Sequence, residues 1–185
     1  AYFEGDTNFD GLGTFNNGLN ITGLLSVTGL LLVTGDIGYS GTIIDINPDL
    51  AEKFPTKDKT IEPGDVVASD VFNKEHVIKT DKEYQLNAMG VVSTKPGIIL
   101  GGLIDGGGVN VALAGRIPVK INLNNGEIKA GDYLTSSDIP GIAMKATKAG
   151  KVLGIALEDF SQSDFDNGKD RITMFVDPQF IGNDL

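Results

Sequence analysis

From Ile117 onward every second residue is apolar, Ile117, Val119, Ile121 and Leu123, and the positions between are mostly polar. That is the period of a half-buried strand. Asn125-Gly126 follows, a pair able to take the positive φ angles of a type I′ turn, so Glu127 to Lys129 is predicted to return beside that strand. Arg171 to Val176 reads as a closing strand, with Asp177-Pro178 leading into a short tail. Asn47-Pro48-Asp49-Leu50 has a helix-start pattern, Asn as N-cap and Pro at the first helical position, and Pro55 limits it to one or two turns.

Two phrases share the pattern I-x-x-G-D-x-[VL]. They are Ile61 to Val67 and Ile128 to Leu134, each followed later by a similar strand, Met89 to Val92 and Leu153 to Ala156. Gly suits an unusual φ and Asp bonds nearby amides, so the phrase predicts a turn feeding a core strand, and its repetition predicts a duplicated β unit. The Gly-rich run from Leu100 to Gly108 lacks a following Lys-Ser/Thr and any helical pattern, which makes it a connection rather than a phosphate loop.

The first forty residues follow another rule. Gly18, Gly23, Gly29, Gly35 and Gly41 punctuate near-copies Ile21-Thr22, Val27-Thr28, Val33-Thr34 and Tyr39-Ser40, a six-residue repeat. Six is even, so every odd position from Leu19 to Ile43 is apolar or Gly and shares one face of an extended chain. Drawn straight, the segment would run roughly 80 Å at about 3.3 Å per residue, so it must turn or wind. These few hexads complete little more than one coil of a single-chain β-helix, which cannot bury its own interior. Three copies wound together would close the face on a common axis, with Leu25, Val27, Leu31, Val33, Ile37 and Tyr39 lining the seam. A pair of hairpins packed on the main domain is the alternative. The expected architecture is all-β. Residues 1–44 form a trimeric β-helix-like stem, and residues 45–185 form a compact β-barrel or sandwich-like domain with a duplicated unit.

Composition narrows the function. The chain has 185 residues and no Cys, which removes disulfides and thiolate metal sites. Its net charge of -10 repels phosphate backbones, and no Lys/Arg cluster offsets it, so nucleic acid is not an expected partner. The Leu-rich part from Leu24 to Val33 is too short and too interrupted to span a bilayer, so no membrane insertion is expected. Residues 1–52 contain no Lys or Arg, and this charge shift places a boundary near residue 45.

Candidate chemistry is sparse. His76 is the only His and is read as a strand-face imidazole, which leaves no His-based triad or His/Cys zinc site. Asp6, Asn8 and Asp10, with Gly11 behind them, match the opening of an EF-hand loop and form a candidate calcium site, although Asn17 stands where a bidentate Glu is expected. No other cofactor is expected. Asp164, Asp166, Asn167 and Asp170 are read as a solvated loop. Ser137, with Asp138 adjacent, is the candidate nucleophile in a turn ahead of Pro140-Gly141. Tyr84, Phe160 and Phe165 are loop aromatics available to a glycan.

The phrases Glu62 to Val67, Gly90 to Gly97, Ala114 to Lys120 and Gly131 to Asp138 together resemble a C-terminal domain of phage tail and appendage fibre proteins and of bacterial surface proteins. Such domains are called peptidase G2-like, or intramolecular chaperone domains. The resemblance covers roughly residues 45 to 177. It implies a β-rich domain that trimerises and caps a fibre stem outside the cell, on a virion or surface appendage. In some relatives the domain also cuts itself free near the stem junction, often at a Ser-Asp bond. Here Gly41 to Asp45 holds no such pair; Ser69-Asp70, Ser137-Asp138 and Ser163-Asp164 all lie within the domain. No protease activity is therefore expected. A structural trimerisation cap is the leading reading, with a receptor- or glycan-binding tip as the first alternative and a self-cleaving chaperone as the second.

Overall fold

In the computed structural model the chain divides into two units, Ala1–Thr42 and Ile43–Leu185. The structure describes residues 21–22, 24–28, 31–40, 42, 47–101 and 107–182. Among the described residues of the first unit no strand or helix forms, and all are exposed.

The second unit is one curled, mostly antiparallel sheet with a single short helix. Its strands are β1 (Asp49–Phe54), β2 (Val66–Ser69), β3 (Val77–Lys79), β4 (Ala88–Val92), β5 (Ile98–Leu100), β6 (Val109–Lys120), β7 (Tyr133–Ser136), β8 (Ala143–Lys145), β9 (Gly150–Ala156) and β10 (Arg171–Ile181). The main path runs β3-β2-β4-β6-β10-β9-β7-β8, and β1 joins it by pairing with β6 and, in parallel, with β5.

That order is a palindrome made by duplication. β2 lies between β3 and β4 as β7 lies between β8 and β9, and the two central strands, β6 and β10, pair antiparallel from Arg171↔Lys120 to Val176↔Gly115. The repeated Gly-Asp phrase builds the same turn twice. Gly64 and Gly131 take φ of 91° and 98°, which an L side chain resists. The Asp65 carboxylate accepts from the Glu62 amide at 2.9 Å, and that of Asp132 from the Lys129 amide at 2.7 Å. Each Gly amide then donates to the end of the partner strand, Gly64 to the Val92 carbonyl and Gly131 to that of Ala156.

The main core joins both halves and includes Val66, Val91, Ile117, Val119, Leu134, Leu153, Phe160 and Met174. Several local expectations give way to longer-range pairing. Residues 49–54 form β1 rather than a helix, because six consecutive positions find partners on β6. Asn125-Gly126 makes no hairpin. Gly126 donates to the Leu123 carbonyl with only Gly126 at positive φ, so the turn is not type I′, and Ile128 bridges Phe160 instead. β10 continues through Asp177-Pro178 to Ile181, with a register shift between Val176 and Gln179. The acidic cluster contains a helix, α1 (Gln162–Asp166), started by a reciprocal capping box between Ser161 and Asp164. His76 sits in the turn before β3, its Nδ1 2.9 Å from the Lys74 carbonyl.

Candidate functional site

In the first unit, the apolar side chains Leu25, Val27, Leu31, Val33, Ile37 and Tyr39 are all exposed in a single chain. Burying a residue such as Leu or Val contributes roughly 1.5–3 kcal/mol. Leu25, Leu31 and Ile37 recur every six residues, as do Val27, Val33 and Tyr39, and all six stand in water in one chain. Asp6, Asn8 and Asp10 lie outside the described residues. Among the described residues, no three of His, Asp and Glu cluster so as to hold a metal.

Within the β domain, the buried polar centre is Asp65, only 1% exposed. Lys79 Nζ meets its Oδ2 at 2.9 Å and Lys120 Nζ meets its Oδ1 at 2.8 Å, and Lys120 also pairs with Glu62. Burial works against the Lys120 ammonium, but the hydrogen bonds it donates to Asp65 and Glu62 outweigh it and hold its pKa above the ordinary value. The bond from Lys120 lowers that of Glu62. Duplication recurs here, since Lys145 Nζ meets Asp132 Oδ2 at 2.7 Å as Lys79 meets Asp65. The second pair is more exposed and lacks an equivalent of Lys120. These are structural ion pairs around a buried turn.

Ser137 is fully buried, and its hydroxyl donates to the Ile142 carbonyl at 2.9 Å while accepting from the Ile139 amide. Asp138 turns instead to Asn124, whose Nδ2 donates to it at 3.0 Å. The adjacent pair is thus not brought together as nucleophile and base. Of the aromatics suited to a glycan, Tyr84 and Phe160 are buried and only Phe165 is exposed. Tyr84, at φ 49°, is clamped between the halves. Its hydroxyl accepts from the amides of Thr147 and Lys148, and its own amide donates to the Ser136 carbonyl. Phe160 is core because Ile128 pairs with its backbone, and Phe165 meets its ring edge-on.

A cleft of about 350 Å³ opens between the start of β1, Thr94-Lys95 and the outer face of β6 and β10, lined by Asn47, Asp49, Arg116, Pro118 and Thr173 among others. Asp49 is 7% exposed and its Oδ2 has no hydrogen-bond partner. Pattern analysis assigned this residue to a helix start, so the cleft could not be anticipated; the exception to burial of a lone carboxylate is visible only in the fold.

No protein-family model and no curated protein matches the sequence. Solved structures do. The pre-mature form of bacteriophage phi29 gene product 12 superposes with a TM-score of 0.54 at 17% identity, over 78% of this chain and 23% of that one. The chain shares its fold with phi29 gene product 12. A C-terminal fragment of the same phage protein aligns over 70% of this chain and all of its own length, at 19% identity and a TM-score of 0.49. The chain therefore spans about a quarter of the length of the pre-mature protein.

Proposed function

We propose that the chain is the C-terminal end of a virion fibre, in which three copies wind their hexad segments together and the β domain caps the assembly. The observation that carries this reading is the exposed seam of Leu25, Val27, Leu31, Val33, Ile37 and Tyr39, six apolar residues at stem spacing that a single chain leaves in water. The fold shared with phi29 gene product 12 supports a phage context, and the Gly-Asp phrases support kinship with trimerising chaperone domains. Light scattering coupled to size-exclusion chromatography tests it. The expected mass is three times the 19.5 kDa of one chain, and a monomer at micromolar concentration overturns the reading. Val33→Asp should abolish the trimer, because three carboxylates would meet at a dry axis.

A ligand-binding tip is the second reading. It rests on the cleft lined by Asp49, Thr94, Arg116 and Thr173, with a buried oxygen of Asp49 that has no hydrogen-bond donor. Such a mix of acceptors and donors suits a polyhydroxylated ligand. A glycan array with the full chain and with Asp49→Ala tests it, a signal lost in the variant being the supporting result.

A further inference from the structure

The two copies of the β unit turn opposite faces to the shared core. In the first, Val66, Val91 and Ala112 stand in one cross-strand row and belong to the main core. The matching row in the second is Tyr133, Ile155 and Phe175, which register assigns residue for residue. That row lies outside the core, and Phe175 is 44% exposed. The other faces are reversed. Leu134, Ala156 and Met174 belong to the main core, whereas Val67, Val92 and Val111 form a smaller cluster closed by Phe54 and Ile61. Of the four faces, the one bearing Phe175 is covered only at its Tyr133 end, which packs against Tyr84, Met144, Ala146 and Val152, and it stays open around Phe175 among the described residues.

We propose that this open face seats a second copy of the chain, through the apolar edge that Ile98 and Leu100 of β5 present. The proposal rests on the trimer reading and names where the β domains of that trimer meet. A closed three-fold ring needs heterologous contacts, each joining two unlike patches of the same chain. The Phe175 face and the edge of β5 are two such patches. Among the described residues β5 pairs only with β1, and its Ile98, Ile99 and Leu100 are each close to half exposed, an apolar sheet edge of the kind that soluble proteins cover. Charge matches as well. Arg116 is in register with Phe175, Glu52 is in register with Leu100, and neither has an ion-pair partner among the described residues. Contact between the patches would bring a guanidinium to a carboxylate at the rim of an apolar centre.

The absence of Cys makes the test direct. Phe175→Cys and Leu100→Cys are introduced singly and together in the full chain, which is then treated with a short bis-maleimide. The double variant should give covalently linked trimers on a denaturing gel, and each single variant none. Leu157→Cys, on the same face, replaces Phe175→Cys if that variant fails to fold. A trimeric mass with no linked product and fully labelled thiols overturns the proposal, assigns the face to a partner other than this chain and leaves the trimer reading standing. Linked dimers from Phe175→Cys alone overturn the pairing with β5. A monomeric mass for the unmodified chain removes the trimer reading and this interface together.

Discussion

Gly154 backs directly onto Phe175: a β-carbon at residue 154 would stand 1.9 Å from the Phe175 carbonyl oxygen. Its counterpart in the first copy of the β unit, Gly90, would bring a β-carbon to 2.6 Å from the Ala112 carbonyl. At both places β9 or β4 passes the backbone of a central strand with no room for a side chain, and the obstacle is backbone, which cannot swing aside. Gly154→Ala should therefore lower stability by about 3 kcal/mol, the upper part of the overpacking range, and Tm by roughly 6–12 °C. Gly182→Ala, with nothing within 4 Å, is the control and should leave Tm unchanged. Equal melting curves for the two variants would refute the argument.

The repeated turns allow a matched comparison. Asp65 is buried against two ammonium groups, whereas Asp132 meets only Lys145 and is partly exposed. Asp65→Asn keeps the shape and the bond from the Glu62 amide but removes the buried anion that Lys79 and Lys120 share, leaving Lys120 with Glu62 alone, so the expected loss is about 3–5 kcal/mol. Asp132→Asn breaks one partly solvated pair and should lose about 1 kcal/mol. Urea denaturation of both variants measures the difference, and a larger loss at Asp132 would contradict the assignment of the polar centre to Asp65.

What could be read from the sequence was whatever the chain decides locally. The Gly-Asp turn is such a case, because positive φ at Gly64 and Gly131 and the Asp bonds at Asp65 and Asp132 need no distant residue. The duplication followed from it. Asn47 to Leu50 failed for the opposite reason. Its helix-cap chemistry is real, but β1 is fixed by pairing with residues about sixty positions later, and tertiary pairing overrides so short a local signal. Tyr84 was equally unreadable as a core residue. It lies in a polar stretch, and only the approach of the second copy of the β unit, whose Gly150 would place a β-carbon 2.7 Å from its ring, encloses it. Tyr133, Ile155 and Phe175 each sit in an ordinary alternating strand, so that their row is open at its Phe175 end is apparent only when register aligns it with Val66, Val91 and Ala112.

Acid should destabilise the β domain through several carboxylates at once. Glu158 accepts from the Thr173 amide at 2.5 Å and pairs with Lys169 at 3.0 Å, which holds its pKa below the ordinary 4.5. Hydrogen bonds lower those of Asp58, from the Thr60 hydroxyl, Asp70, from Asn73, and Asp164, from the Ser161 hydroxyl. A carboxylate with a lowered folded pKa contributes stability above its unfolded value and loses it as pH falls through the folded one. Lys120, raised, acts in the other direction, its contribution being complete below the ordinary 10.5 and lost as pH climbs past the folded value. Tm should be level between about pH 5 and 10 and fall on both sides. Calorimetry across that range checks it. Glu158→Gln should make the acid limb shallower, and an unchanged limb would show that Glu158 does not contribute.

Self-cleavage separates a passive cap from a chaperone that removes itself, and the three Ser-Asp bonds decide it. Hydrolysis by a serine needs the hydroxyl beside a general base. Ser137 donates instead to a backbone carbonyl, with Asp138 held by Asn124. The Ser69 hydroxyl takes a bond from Asn87 Nδ2, while the Asp70 carboxylate caps the amides of Phe72 and Asn73. Asp164 is bound by Ser161, two residues before Ser163, and is committed to the cap of α1. Each of the three aspartates is thus committed to a group other than the serine before it. Protein incubated warm for days should therefore keep the mass of the full 185-residue chain. Ser137→Ala should leave that mass intact and lower stability by about 1 kcal/mol, the usual effect of one lost hydrogen bond. Fragments ending at Ser137 or Ser69, absent from the corresponding alanine variant, would instead establish the chain as a self-cutting enzyme.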